Sequence, residues 1–375
     1  MHRASRSFFG LLVGLLVISL AAGACSDKKK KSTASTTLTS ASGGAKAGTI
    51  AVLLPETKTT RYEAADRPLM DAKIKELCPD CKILYQNADQ DAARQQQQAE
   101  AMLTNGAKVM VLDPVDSAAA STIVTKAKAS NVPVISYDRL VKNADVDYYV
   151  SFDNVKVGKL QGQALADKLK ADGKGSGTIV MINGSPTDNN ATLFKQGAHS
   201  VLDGSGLKIG KEYDTPDWSP DKAQQEMEQA ITALGKAKIA GVYAANDGTG
   251  GGAIAAMKSA GLKPLPPVTG QDAELAAVQR IVAGEQYMTV YKAIKPEAEA
   301  AATLAVDLLK GTTPEASLVN GSTNNGQKDV PSVLLNPVAV TKANVKDTIV
   351  KDDFHKVAEI CTAQYAAACK AAGLS

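Results

Sequence analysis

From residue 49 onward, short runs rich in β-branched and other apolar residues alternate with longer stretches whose apolar positions recur at helical spacing. The runs 49–54, 82–85, 109–112, 134–137, 148–151, 178–182, 242–245, 268–270 and 288–291 read as strands. Between them, 92–104, 117–129, 155–171, 221–234 and 273–283 read as helices. Repeated βα alternation predicts an α/β fold of parallel sheets with helices on both faces, joined by right-handed crossovers. A break near 150–154 separates two such series of comparable length. A chain of 375 residues exceeds what one core usually organises, so the pattern predicts two doubly wound parallel-sheet lobes.

Ligands of such sheets bind outside the carboxyl ends of the strands. The strand ends here are followed by Glu56, Arg61, Tyr62 and Arg67, then Asp113, then Asp138 and Arg139 in the first series. In the second series they are followed by Asn183, Asp188, Asn189 and Asn190, by Asn246 and Asp247, by Gln271 and Asp272, and by Lys292. Asp and Asn are also common turn and N-cap residues, and that plainer reading suits Asp113 and Asp247. The recurrence of acids, amides and guanidinium groups at strand after strand predicts a shared polar cleft.

Composition sharpens this picture. Only 4% of residues are aromatic and three are His, so Trp218, the single Trp, is informative where it stands in the polar string Asp217-Trp218-Ser219-Pro220. The formal charge is +3, and removing residues 1–24, which hold Arg3 and Arg6 and no acid, leaves +1. A nearly neutral chain gives no electrostatic basis for a nucleic-acid partner.

The N-terminus has the form of an export signal: Arg3 and Arg6, an apolar run over 8–20, then Ala22-Gly23-Ala24-Cys25. The run is short for a membrane span, and the small residues before Cys25 predict cleavage of a lipoprotein signal peptide (1–24) and lipidation of Cys25. Residues 25–48 are rich in Lys, Ser, Thr, Ala and Gly and read as a disordered tether with a reach of roughly 25 Å. Cys78, Cys81, Cys361 and Cys369 remain, and outside the cytoplasm they are disulfide candidates. On one continuous helix Cys361 and Cys369 would stand about 12 Å apart, too far to bridge, so either that helix breaks or the pairs cross.

A lining of carboxylates, amides and guanidinium groups matches the hydroxyls of a free sugar, each of which donates and accepts hydrogen bonds. An aromatic ring such as Trp218 matches the apolar face of the ring. Bonds with one ionised partner contribute about 1.5–3 kcal/mol each, and a missing partner penalises an epimer comparably. Enzyme readings have less support. No carboxylate pair stands out as a glycosidase acid and base, and neither Gly-x-Ser-x-Gly nor His-Glu-x-x-His occurs. The glycines at 248 and 250–252 lack the Lys-Ser/Thr of a P-loop. No metal or cofactor is implied.

Several strings resemble the type I periplasmic sugar-binding proteins, and closely their D-xylose-binding branch: Ser136-Tyr137-Asp138-Arg139, Val150-Ser151-Phe152-Asp153-Asn154, Gly184-Ser185-Pro186-Thr187-Asp188-Asn189-Asn190, Ala245-Asn246-Asp247, Thr269-Gly270-Gln271-Asp272-Ala273, Met288-Thr289-Val290-Tyr291-Lys292 and Lys328-Asp329-Val330-Pro331-Ser332. The resemblance covers about 49–356. It implies two lobes joined by three hinge crossings, near 150–153, 289–292 and 328–332. The N-terminal lobe would be 49–150 plus 292–328, the C-terminal lobe 151–291 plus 329–356, and 357–375 a tail outside the pattern. It further implies a ligand shell of Arg61, Asp138 and Arg139 from the first lobe, Asp188, Asn190, Trp218, Asn246 and Asp272 from the second, and Lys292 at the hinge. Tyr62 stands where the family carries Trp, which leaves the sugar open. The implied role is a monomeric extracytoplasmic receptor, lipid-anchored to the cell membrane or periplasmic. It would deliver a monosaccharide, D-xylose first, to the permease of an ABC importer. The alternative is a broader aldose sensor acting with a receptor kinase or chemoreceptor.

Overall fold

A computed structural model describes residues 47–374. The signal peptide, Cys25 and the tether up to residue 46 lie outside the described residues. Gly48, assigned to the tether, already joins the folded body, its carbonyl accepting from the Lys82 N–H at 2.9 Å.

The first half runs β1 (Thr49–Leu54), α1 (Arg67–Leu77), β2 (Lys82–Asn87), α2 (Ala92–Thr104), β3 (Val109–Leu112), α3 (Ser121–Ala129), β4 (Val134–Tyr137) and β5 (Tyr148–Phe152). Next come α4 (Asn154–Ala171), β6 (Thr178–Asn183), α5 (Asn189–Leu202), β7 (Lys208–Asp214), α6 (Pro220–Leu234), β8 (Ile239–Ala244), α7 (Asp247–Ser259), α8 (Leu275–Ala283) and β9 (Met288–Tyr291). The chain ends with α9 (Ile294–Lys310), β10 (Gly321–Asn324), β11 (Asp329–Leu335), β12 (Val338–Thr341), α10 (Val357–Ile360) and α11 (Ala366–Ala371).

Two sheets organise these elements, as the α/β pattern requires. The first has the order β10-β11-β5-β4-β3-β1-β2, parallel except where β10 runs against β11. Its central strands are continuous apolar runs because both faces are covered. Strand alternation splits β1: Ile50, Val52 and Leu54 face one core with Met70, Ile74 and Leu304, while Ala51 and Leu53 face the other with Ala99, Ile123 and Val124. The second sheet, β7-β6-β8, divides likewise. Ile179 and Met181 pack with Val157, Leu165 and Phe194, and Val180 and Ile182 pack with Ala223, Met227 and Ile254. Single parallel bridges, Val242 to Val268 and Gln271 to Val290, carry this sheet on toward β9, which pairs with β12.

Three segments link the lobes. The chain leaves the first sheet after β5, returns between β9 and α9, and crosses again between β11 and β12. The third crossing therefore falls at 336–337 and not at 328–332, because β11 pairs in parallel with β5 from Ser332↔Tyr149 to Leu335↔Phe152. That pairing moves 329–335 and 151–152 from the second lobe, where the sequence placed them, into the first sheet. The sequence also left β7 and β10–β12 unassigned. The β7 run Lys-Ile-Gly-Lys-Glu-Tyr-Asp is an edge strand whose charges blunt its open side, and β10 is the polar string Gly-Ser-Thr-Asn at the opposite kind of edge.

The disulfides are Cys78–Cys81 and Cys361–Cys369, with Cα atoms 5.3 and 5.8 Å apart. Of the two ways the tail pair was open, the helix breaks: Cys361 follows α10 and Cys369 lies within the separate α11. Among the described residues no helix is long and apolar enough to cross a membrane.

Candidate functional site

The loop after β1 turns back at Glu56, whose carboxylate accepts the N–H groups of Lys58 and Thr59 at 2.5 and 3.0 Å. It delivers Arg61 and Tyr62 to the end of the sheet. Arg61 is fully engaged behind the site: Nε and one terminal nitrogen donate to Asp66 at 2.9 and 2.5 Å, and the latter nitrogen also to Glu297 at 2.6 Å. Its other terminal nitrogen reaches Asp138 at 3.4 Å and Asp272 at 3.9 Å. Tyr62 Oη donates to Asp138 Oδ2 at 2.9 Å and accepts from Arg139 at 3.2 Å. Its ring lies between the two guanidinium groups, 5.4 and 5.6 Å from its centroid.

After β4, Asp138 adopts a left-handed backbone conformation, φ +51°, which turns its carboxylate inward and its carbonyl toward the hinge. Such a conformation costs a non-glycine residue on the order of 1 kcal/mol or more and marks a site that needs it. The carbonyl is tied down by donors from Ser151, Tyr149 and Asn190 at 2.7, 3.1 and 3.0 Å. Burial alone would raise the Asp138 carboxyl, but Lys292, Arg61 and Arg139 together outweigh it and hold the group below the usual carboxylate range. Lys292 stands 3.5 Å from Asp138 and 3.2 Å from Asp272. Burial would lower its ammonium, and these two acids raise it instead.

From the second lobe, α5 begins beside the cleft. Asp188 caps its first turn, accepting from Asn190 N–H at 2.8 Å, and stands 3.1 Å from Arg139 Nε across the lobes. Trp218 follows Asp217 in a pair of left-handed residues, φ +52° and +61°, and its indole N–H donates to Asp188 Oδ2 at 3.0 Å. The indole meets Phe194 edge-on at 6.3 Å and lies so close to Gly184 that a Cβ there would fall 2.0 Å from the ring. Asn246 caps α7 by accepting from Thr249 N–H at 2.9 Å. Asp272 and Ala273 form a second left-handed pair, φ +93° and +51°. Asp247, by contrast, has the structural part that the sequence offered for it, accepting from Gln286, Thr289 and the Glu274 N–H at 2.7, 2.9 and 3.0 Å.

Tyr62, Asp138, Arg139, Asp188, Asn190, Trp218, Asn246, Asp272 and Lys292 therefore line one cavity, with about 20 Å³ left free among them. All of them are buried. Arg61 is brought to the same cluster but stands behind Asp138 instead of lining the cavity. Thr59, Phe194 and Gln271 also line it and were not singled out. Gln271 was legible as a strand-end amide, and its Oε1 is buried without a hydrogen-bond donor. Phe194 follows Asn190 by one helical turn, a spacing that puts both on one face, while Thr59 carries no sequence signal. That space holds about one water, far below the roughly 300–1,000 Å³ of drug-sized sites, so a ligand enters only as the lobes or these side chains part. Among the described residues no cluster of His, Cys, Asp and Glu is arranged to hold a metal ion.

Residues 50–313 match the periplasmic binding protein domain family. The D-xylose-binding periplasmic protein of Escherichia coli (strain K12) is 40% identical over 320 residues, spanning 84% of this chain and 93% of that protein. A multiple sugar-binding periplasmic receptor of Rhizobium radiobacter is 35% identical over 334 residues, again 84% and 93%. Among solved structures, an ABC transporter solute-binding protein from Clostridium phytofermentans with bound β-D-glucose superposes with a TM-score of 0.77 at 30% identity, covering 83% of this chain and 99% of that one.

Proposed function

Because the chain belongs to the periplasmic binding protein domain family, a family of receptors and not of enzymes, we propose that it captures an aldose between its lobes, D-xylose first. It then hands the sugar to the permease of an ABC importer. The observation that carries this reading is the lining itself, where Asp138, Arg139 and Lys292 meet Asp188, Asn246 and Asp272 at one buried pocket between the lobes. Carboxylates accept, cations donate, Asn246 and Gln271 do both, and Trp218 offers an apolar face. Each lobe supplies part of the shell, so ligand favours the closed arrangement over the open one. Titration of the purified protein with pentoses and hexoses, followed by the emission of Trp218, tests it: saturable change with D-xylose supports the reading, and silence toward every aldose removes it.

A specific residue favours broader aldose recognition as a second reading. Tyr62 holds a smaller ring than the Trp that the family carries there, and its hydroxyl is held between Asp138 and Arg139. D-glucose binding as tight as D-xylose binding in the same titration would favour it. The sensory role belongs with this reading, and uptake that survives deletion while sugar-induced expression fails would support it. Export with a lipid on Cys25 completes the proposal. Labelling of the full chain by a radioactive fatty acid, lost on Cys25→Ser, is its test.

A further inference from the structure

Three backbone N–H groups of the loop that presents Asp272 are held from within the second lobe. The Asp272 N–H donates to Val290 O at 3.0 Å, the Ala273 N–H to Thr289 Oγ1 at 3.2 Å and the Glu274 N–H to Asp247 Oδ2 at 3.0 Å. The Ala273 carbonyl accepts from His355 Nε2 at 2.8 Å. His355 precedes the C-terminal tail, and the tail is bound to the second lobe. Ile360, Cys369 and Leu374 are buried in one cluster with Ala273, Val278, Ile281 and Tyr291. Gln279 donates to the Glu359 carbonyl at 3.0 Å, and Phe354 packs between His355 and hinge residue Tyr291, at 4.7 and 5.2 Å. The Cys361–Cys369 bond closes the tail on itself across the break between α10 and α11.

We infer that the C-terminal segment is a clamp on the binding site, with His355 as its positioning residue: by holding the Ala273 carbonyl it keeps the Asp272–Ala273 pair left-handed and the Asp272 carboxylate aimed into the cavity. Both residues carry side chains in a backbone region that L-residues avoid, so the pair relaxes unless its surroundings over-determine it. Relaxation of either dihedral swings Asp272 away from Lys292, now 3.2 Å distant. Cys361 and Cys369 act one step further out, by keeping the tail folded against α8. The affinity part of this clamp rests on the sugar-binding reading above, whereas its effect on the loop does not.

The test uses the full folded chain and three variants: His355→Leu, which keeps bulk and removes the donor; His355→Gln, which restores a donor at similar reach; and Cys361→Ser with Cys369→Ser, which keeps His355 and frees the tail. Two quantities are read, the dissociation constant for D-xylose and D-glucose and the amide deuterium uptake of 271–274. His355→Leu is expected to weaken binding about tenfold, the equivalent of about 1.4 kcal/mol, and to speed exchange in that segment. His355→Gln is expected to recover most of both, and the cysteine pair to fall between them. Wild-type affinity and exchange in His355→Leu, or a His355→Gln no better than His355→Leu, overturns the clamp. A wild-type protein that binds no aldose removes the sugar reading, and the exchange comparison then decides the clamp by itself.

Discussion

Gly184→Ala adds one methyl group at the back of the proposed sugar platform. Its Cβ would lie 2.0, 2.3 and 2.4 Å from three atoms of the benzo edge of Trp218, where carbon atoms are comfortable at about 3.5–4.0 Å. The indole must therefore move by roughly 1.5 Å. It has little room to do so, since Phe194 stands against it and the cavity it lines leaves only about 20 Å³ free. Moving also breaks the 3.0 Å bond from its N–H to the Asp188 carboxylate, a charge-assisted bond contributing about 1.5–3 kcal/mol. The expected result is a sugar affinity weaker by roughly tenfold to a hundredfold, measured by titration calorimetry, with a shifted emission maximum because Trp218 is the single Trp. A double-mutant cycle isolates the cause. In a Trp218→Phe background the clashing benzo edge is gone, so Gly184→Ala should then cost almost nothing. Affinity within about threefold of wild type, or an equal cost in both backgrounds, would refute the contact as the reason glycine is needed.

Three further outcomes follow from the same geometry. Lys292→Met leaves Asp138 and Asp272 without the ammonium between them; breaking a buried pair costs about 3–5 kcal/mol, so the dissociation constant should rise at least a hundredfold, and calorimetry showing a near-normal value contradicts this. Tyr62→Phe removes a donor to Asp138 and an acceptor for Arg139, and urea unfolding should show a loss of about 1–3 kcal/mol; unchanged stability would mean that the hydroxyl is idle. Burial pushes Asp247 up to about 7 from 3.8 and Glu274 up to about 8 from 4.5, so the native chain holds protons there that the unfolded chain has released. That stabilisation is complete below about pH 4 and fades as pH rises through 7 to 8; a melting temperature that climbs between about pH 5 and about pH 8 would contradict the assignment.

The chain's β1, β3, β4 and β9 were legible to the residue because their runs are short and mostly apolar, and α2 was legible to the residue behind its Asp91 cap. Two of the strands the sequence missed carry a polar signal. β7 and β10 lie at sheet edges and have few apolar residues to mark them. β11 was assigned to the wrong lobe because membership in a sheet depends on pairing across 180 residues of chain, which local pattern does not encode. The polar tips were legible because each follows its own strand, and so was Asp272. Thr59 was not, since its position depends on the Glu56 turn. Nor was the place of Arg61 behind Asp138 instead of on the cavity wall, because a sequence reveals that a guanidinium is near but not which of several carboxylates claims it first.

The count of charges around the cavity links that shell to closure. Arg61, Arg139 and Lys292 are buried with Asp66, Asp113, Asp138, Asp188, Asp272 and Glu297, so the acids outnumber the cations. Burial pushes the carboxyls of Asp113, Asp188 and Glu297 up, the last to about 8, while Asp138, beside three cations, is held below the usual carboxylate range. The contact between Arg139 and Asp188 spans the lobes, and the two groups lose their water only when the lobes meet. Desolvating such a pair costs several kcal/mol per ion and is offset only when the remaining donors and acceptors find partners. In the proposed complex, sugar hydroxyls between Asp138, Asn246 and Asp272 would supply those partners. The residues that read the sugar are thus the same ones whose burial opposes closure without it.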